Sequence, residues 1–204
     1  MHAKLAQHFY SVSSIVPTKQ SNISMHHWNT VPTPLATLND WLFDQGSLTQ
    51  RLKQLCTDAF TVQLLCEGWQ TLSADECQAL NVTGNSCGWV REVFLCDGQQ
   101  PWVFARSVAS QAELESSGFN ISQLGTRSLG ELLFSQQAFK RGVMHIRQLP
   151  CQQLPSIAQQ HTSNQTHVWA RRSCFKKDTL GVLVAEIFLP QLWQDTDNST
   201  LNTV

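Results

Sequence analysis

Charge is scarce in this sequence: only 14% of its 204 residues are charged, where an ordinary soluble protein carries about 25%. The 14 Lys+Arg nearly balance the 15 Asp+Glu, for a net charge of −1. No Lys/Arg run is present that could track a phosphate backbone, which argues against nucleic acid as a partner. Long apolar runs are missing too. No stretch of about 18 apolar residues could span a bilayer, so no transmembrane segment is expected, and the N-terminus lacks the apolar stretch of a signal peptide. The seven cysteines (Cys56, Cys66, Cys77, Cys87, Cys96, Cys151 and Cys174) are odd in number and contain no C-x-x-C pair. A disulfide framework or zinc site is therefore disfavoured, and a reduced, cytoplasmic protein is expected. The histidines show no H-E-x-x-H or i, i+4 metal spacing. No G-x-S-x-G, Walker or G-x-G-x-x-G motif occurs, so triad, P-loop and dinucleotide chemistry have no support and no cofactor is expected.

What is present is a chain long enough to bury roughly 70% of its unfolded surface, which suits one compact domain. Residues 1–34 are polar, lack a sustained period and end in Pro32 and Pro34, as an N-terminal arm or linker does. Residues 35–193 form the domain, and residues 194–204 a polar tail expected to be mobile. Trp41, Leu42 and Phe43, then Gly46, then Leu48, Leu52 and Leu55 at i, i+4, i+7 predict a helix-turn-helix pair. A second helical region runs from Ser110 to about Ala138, with breaks at Gly118 and Gly125. Trp89–Cys96 and Trp102–Ala109 alternate around the turn Asp97-Gly98, and Val168–Lys176 with Val182–Leu189 make another hairpin. Strands are also expected over Thr61–Trp69 and about Gly142–Arg147. Pro150–His167, rich in Gln, Ser, Thr and Pro, reads as a surface loop. With hairpin connections and no βαβ alternation, the expected fold is α+β: one antiparallel sheet of about six strands with helix-turn-helix flaps.

Alternation puts Trp89, Arg91, Val93 and Leu95 on one face of their strand, and Val182, Val184, Glu186 and Phe188 on one face of theirs. Each set carries one charge among apolar neighbours. A lone buried charge costs several kcal/mol, so Arg91 and Glu186 each need a partner, either one another or a polar ligand. A structural ion pair is the plainer account of this pattern. Glu92 falls on the opposite face and reads as exposed. Ser47 with Gln50 and Ser128 with Glu131 fit the S-x-x-E/Q capping box, which makes Leu48 and Leu129 first helical residues with N–H groups available to a carboxylate. Ser73 with Glu76 and Ser110 with Glu113 fit the same box, so it is weak as a functional signal.

Five motifs, in order, carry a resemblance: Trp89-Val-Arg91-Glu-Val-Phe-Leu-Cys96, Pro101-Trp102, Leu124-Gly-Thr-Arg-Ser-Leu129-Gly130-Glu-Leu-Leu-Phe134, Trp169-Ala-Arg171-Arg172-Ser173 and Ala185-Glu186-Ile-Phe-Leu-Pro190. Over about residues 35–193 the chain resembles the bacterial chorismate pyruvate-lyase family of ubiquinone biosynthesis. The resemblance implies a sheet whose buried ligand cavity is closed by helix-turn-helix flaps, and a cofactor-independent conversion of chorismate to 4-hydroxybenzoate and pyruvate. It implies that Arg91 binds the ring carboxylate with the backbone N–H groups of Leu48 and Leu129, and that Glu186 binds the ring hydroxyl. Arg106, Arg171 and Arg172 are candidates for the substrate's second carboxylate. Leu48 stands where the family often has Met, and Ser128 where it commonly has Pro. The expected partners are chorismate and 4-hydroxybenzoate, and a monomer is expected. The same fold is similar to effector-binding domains of bacterial transcription regulators, which bind small ligands without chemistry. Those carry a DNA-binding winged helix ahead of the domain, for which the polar arm is too short.

Overall fold

The structure, a computed structural model, describes residues 27–119, 129–135 and 139–201. Among them seven strands form one antiparallel sheet: β1 (Phe60–Thr71), β2 (Cys87–Asp97), β3 (Gln100–Ser110), β4 (Lys140–Arg141), β5 (His145–Pro150), β6 (His167–Lys177) and β7 (Leu180–Phe188). The order is β1-β2-β3-β7-β6-β4, with β5 also on β6. The count exceeds the expected six because the last edge is split: β4 pairs Phe175 and Lys176, and β5 pairs residues 167–172 of the same strand. Between them Gly142 donates its N–H to the Cys174 carbonyl at 2.8 Å before the chain swings out.

Among the described residues seven helices accompany the sheet: α1 (Ala36–Leu42), α2 (Leu48–Leu55), α3 (Ala74–Leu80), α4 (Gln111–Ser117), α5 (Leu129–Ser135), α6 (Ser156–Gln159) and α7 (Pro190–Leu201). The capping boxes differ in outcome. Ser47 accepts from Gln50 N at 3.4 Å at the start of α2, and Ser73 with Glu76 makes the full reciprocal box on α3. Ser110 makes no side-chain cap, and Glu113 accepts from the Gly181 N–H at 2.9 Å. Ser128 and Gly125 lie outside the described residues. Gly118 closes α4 in the left-handed conformation at φ 63°, which a glycine adopts without steric cost.

Both sheet faces are covered. On the front, Leu42, Leu48 and Leu52 of α1 and α2 pack with Val93, Leu95 and Phe188, while Leu129 and Leu133 of α5 pack with Trp89, Phe175 and Val182. On the back, α3 sets Cys77 and Leu80 against Val90, Val108 and Leu183. The segment Pro150–His167 is more than a surface loop. It contains a 3-10 turn and α6, and it sends Cys151, Leu154 and Ala158 into a cluster with Phe94, Phe104 and Ile187. Those three residues recur at helical intervals that Pro150 and Pro155 interrupt, so their period is hidden in the sequence. Nor do the polar residues after Trp193 leave the fold at once: they continue α7, and Asp195 accepts from Trp102 Nε1 at 2.8 Å. Asn29 exchanges backbone hydrogen bonds with Ile146 at 3.0 and 2.8 Å, joining the end of the N-terminal arm to β5. All seven cysteines are free thiols.

The approach from α2 into β1 is fixed by Asp97. Its carboxylate accepts from Thr57 N at 3.0 Å, Thr57 Oγ at 2.8 Å and Asp58 N at 2.8 Å. Burial by itself would push this carboxyl up; the hydrogen bonds from Thr57 and Asp58 outweigh it and hold it below the ordinary carboxylate range. A depressed native pKa means that the unfolded chain binds the proton more readily, so the contribution is present above the unfolded value of about 3.9 and fades as pH falls through the native one. Asp97→Asn is therefore expected to lower the urea midpoint at pH 7, with the gap to the unaltered protein closing below about pH 4. An equal gap at pH 3 and pH 7 would rule out the charged acceptor as its cause.

Candidate active site

The site is built on the front face by strand parity. Register sets Arg91 opposite Ser107, Ser107 opposite Val184, and Val184 opposite Ser173; the neighbouring row runs Val93, Ala105, Glu186, Arg171. Arg91 on β2 and Glu186 on β7 therefore face the same side with β3 between them. A strand spacing of about 4.8 Å and a rise of about 3.4 Å per residue separate their Cα atoms by roughly 12 Å. They are not partners of one another.

Each charge has its own neighbour. Arg91, 2% exposed, donates from Nη1 to Glu67 Oε2 at 3.2 Å. Burial pulls its pKa below the usual guanidinium value, against the pull of Glu67. Glu186 accepts from Arg171 Nε at 2.5 Å, and Arg171, wholly buried, also donates to the carbonyls of Trp41 at 2.7 Å and Asp44 at 3.2 Å. A second guanidinium, Arg141, stands beside Glu186 with its Nη2 3.9 Å from Oε2. Arg141 donates to Ser173 Oγ at 2.9 Å and to the carbonyls of Asp44 and Gly46 at 3.2 Å each. Burial lowers its pKa to about 10, although Glu186 opposes the shift. Arg141 remains a cation at neutral pH.

Arg91 and Glu186 line a cavity between the sheet and the helices. Its floor is mostly apolar, from Val93, Ala105 and Val184 with Ser107 among them, and its roof is Thr49 of α2 with Leu129 and Gly130 of α5. Leu48 opens α2 one residue earlier and is buried in the core behind this wall, 3% exposed. The first turns of α2 and α5 thus both meet the cavity, and the opening N–H groups of a helix have no intrahelical acceptor. The cavity measures about 40 Å³, far below the roughly 300–1,000 Å³ of a small-molecule pocket. An aromatic ligand enters only if the helices above it move. A larger groove of about 790 Å³ lies on the back face among α3, β6 and the β4–β5 corner, with Lys140, His145 and Lys176 on its rim. It is wide, and of the charges just described Arg141 borders it while Arg91, Glu186 and Arg171 do not, so it is not the candidate active site.

Three expectations need correction. Glu92 is not simply exposed: it accepts from Arg106 Nη1 at 2.8 Å on the back face. Arg106 is also held by Glu76 at 2.7 Å, and Arg172 by Asp75 at 2.5 Å, so both point away from the cavity and neither reaches a ligand in it. Only Arg171 of the three candidates is on the front. Glu67 and Arg141 escaped the sequence reading for local reasons. A bulge between Leu64 and Cys66 reverses the parity of β1, so that Glu67 joins Val62 on the front despite an odd spacing. Arg141 sits on a strand of two residues, too short for any period to be read.

Comparison with known proteins places the chain in a family. The family model described as chorismate lyase matches residues 21–198. A protein of Pseudomonas aeruginosa strain UCBPP-PA14, named probable chorismate pyruvate-lyase, is 55% identical over 157 residues, covering 77% of this chain and 85% of that protein. A Pseudomonas putida protein of the same name is 54% identical over 155 residues, covering 76% and 81%. Among solved structures, the effector-binding domain of the Bacillus subtilis trehalose repressor superposes with a TM-score of 0.50 at 8% identity, covering 63% of this chain and 90% of that one. A likeness at that identity concerns the fold alone. The identity to the Pseudomonas proteins and the span of the family match go further, and on them this chain belongs to the chorismate lyase family.

Proposed function

We propose that this protein is a chorismate pyruvate-lyase that forms 4-hydroxybenzoate and pyruvate, the first committed step towards ubiquinone, as a cytoplasmic monomer without a cofactor. The observation that carries the reading is the placement of two charges of opposite sign, the buried Arg91 and the half-buried Glu186, on one largely apolar cavity. Arg91 takes the ring carboxylate, joined by the first-turn N–H groups of Leu48 and Leu129, and Glu186 accepts the hydrogen bond of the ring hydroxyl. Val93 and Val184 of the sheet floor offer the ring an apolar surface. In the reaction the ether bond between the ring and the enolpyruvyl oxygen breaks. The hydrogen on the adjacent ring carbon leaves, and the enolpyruvyl methylene carbon gains one to become the methyl of pyruvate. The ring becomes aromatic, which drives the elimination, so the protein contributes chiefly positioning and exclusion of water. Free thiols throughout support a reducing compartment.

The direct test is pyruvate release from chorismate by chelator-treated protein; no release, or release restored only by added metal, would sink the proposal. A purely effector-binding role is the other outcome of the same assay, since such a protein would bind 4-hydroxybenzoate and release nothing.

Arg91→Ala should weaken 4-hydroxybenzoate binding by about 2–5 kcal/mol, and Arg91→Lys should recover only part because the two-pronged contact is gone. If titration of the folded fraction finds affinity intact and only thermal stability reduced, Arg91 is structural. Because the cavity is so small, opening must move α2 or α5, and such motions can limit turnover. The expected signature is a pre-steady-state burst of 4-hydroxybenzoate with strong inhibition by added product. Linear product formation from the first turnover, with weak inhibition, would mean that release is fast.

A further inference from the structure

In chorismate the enolpyruvyl ether is on the ring carbon next to the one bearing the hydroxyl. If Glu186 takes that hydroxyl, as the reading above has it, the second carboxylate of the substrate lies beside Glu186 and far from Arg91. Two cations meet this requirement among the described residues, Arg141 and Arg171. Both donate to one acceptor, the Asp44 carbonyl, at 3.2 Å each, so the two guanidinium groups stand side by side. Together they set two positive charges against the single carboxylate of Glu186. The nearest other acid, Asp44, is engaged outward with Arg51 at 3.2 Å and with the Gly46 N–H at 2.8 Å.

The terminal nitrogens of this pair are underused. Arg171 Nη2 is buried with no hydrogen-bond partner among the described residues. Arg141 Nη2 is beyond hydrogen-bond reach of Glu186 at 3.9 Å and, among the described residues, has the Met144 sulfur at 3.9 Å as its one hydrogen-bonding neighbour. The guanidinium lies 5.6 and 5.2 Å from the Phe134 and Phe175 rings, contacts that leave its Nη2 donors open. A surplus buried cation with donors to spare is costly unless an anion joins it. The depressed pKa of Arg141 agrees with this lack of compensation. We propose that Arg141, flanked by Arg171, is the receptor for the enolpyruvyl carboxylate of chorismate.

The two arginines divide the work by their burial. Arg171 has no exposed surface and is committed to Glu186 and two carbonyls, so it positions Glu186. Arg141 keeps 10% exposure and a terminal nitrogen turned to Glu186, so it is the one able to close on a substrate group. When the ether bond breaks, pyruvate carries this carboxylate away and 4-hydroxybenzoate keeps only the one held by Arg91. Arg141 therefore distinguishes substrate from product, a property no purely structural residue has.

The test uses that asymmetry. Arg141→Gln is expected to lower kcat/KM for chorismate on the order of 100-fold, while the inhibition constant of 4-hydroxybenzoate stays within about threefold. Arg141→Lys, which keeps the charge and safeguards folding, is expected to fall between the two in kcat/KM with the same product affinity. Parallel loss of substrate and product affinity in Arg141→Lys would overturn the proposal and assign Arg141 to holding the Asp44–Gly46 loop, and so would unchanged kcat/KM in Arg141→Gln. Absence of pyruvate release by the unaltered protein would instead overturn the lyase reading itself, and this proposal with it.

Discussion

A guanidinium with no access to solvent organises the front of this protein. Arg171 leaves the middle of β6, receives the Glu186 carboxylate from β7 and donates to the carbonyls of Trp41 and Asp44 at the end of α1. Without it Glu186 would be a carboxylate held in an apolar wall, and breaking one partner from such a pair costs about 3–5 kcal/mol. The carbonyls at the end of a helix would also lose their donors. One residue thus ties a sheet charge and the start of the first helical flap into a single unit. Arg141 repeats the arrangement from β4 and extends it to Gly46, just ahead of α2.

The sheet separates two kinds of ion pair. On the back, Arg106 with Glu76 and Glu92, and Arg172 with Asp75, stitch α3 to the strands at partly solvated positions. Such pairs contribute modestly, and they sit over an otherwise packed aliphatic layer. On the front, the pairs are more deeply buried, and Arg91 and Glu186 line a cavity. Their desolvation is harder to offset by their mutual attraction alone, which is what makes them receptive to a polar ligand.

Closure follows from the same contacts. α2 is held to α1 by Arg51, which meets the Asp40 carboxylate at 2.6 Å and stacks over Trp41 at 3.7 Å, so the first flap moves as a pair of helices. The Asp44–Gly46 loop between the two helices is fastened by Arg141 and Arg171. Opening over this side must break charged hydrogen bonds, whereas α5 rests on the sheet mainly through the apolar side chains of Leu129, Leu132, Leu133 and Phe134. The apolar contact of α5 is the less directional of the two restraints.

Much of this protein was already determined by local pattern. Period-two alternation with turn residues specifies the hairpins β2–β3 and β6–β7, and the same parity puts Arg91 and Glu186 on the buried side of their strands. The capping serines mark α2 and α3. What local pattern could not hold was any relation that depends on distant backbone. The bulge in β1 reversed the face of Glu67, the prolines concealed the helical spacing of Cys151, Leu154 and Ala158, and the two-residue β4 had no period to announce Arg141. Arg106, Arg171 and Arg172 look alike as sequence, and only pairing across the sheet sorts them: parity sends Arg171 to the front, while register with Glu92 and contact with Asp75 send the others to the back. The reason is physical. Which face a side chain takes is set by its own neighbours along the chain, but which charge it meets there is set by strand order and register, and these come from contacts between residues as much as 130 positions apart.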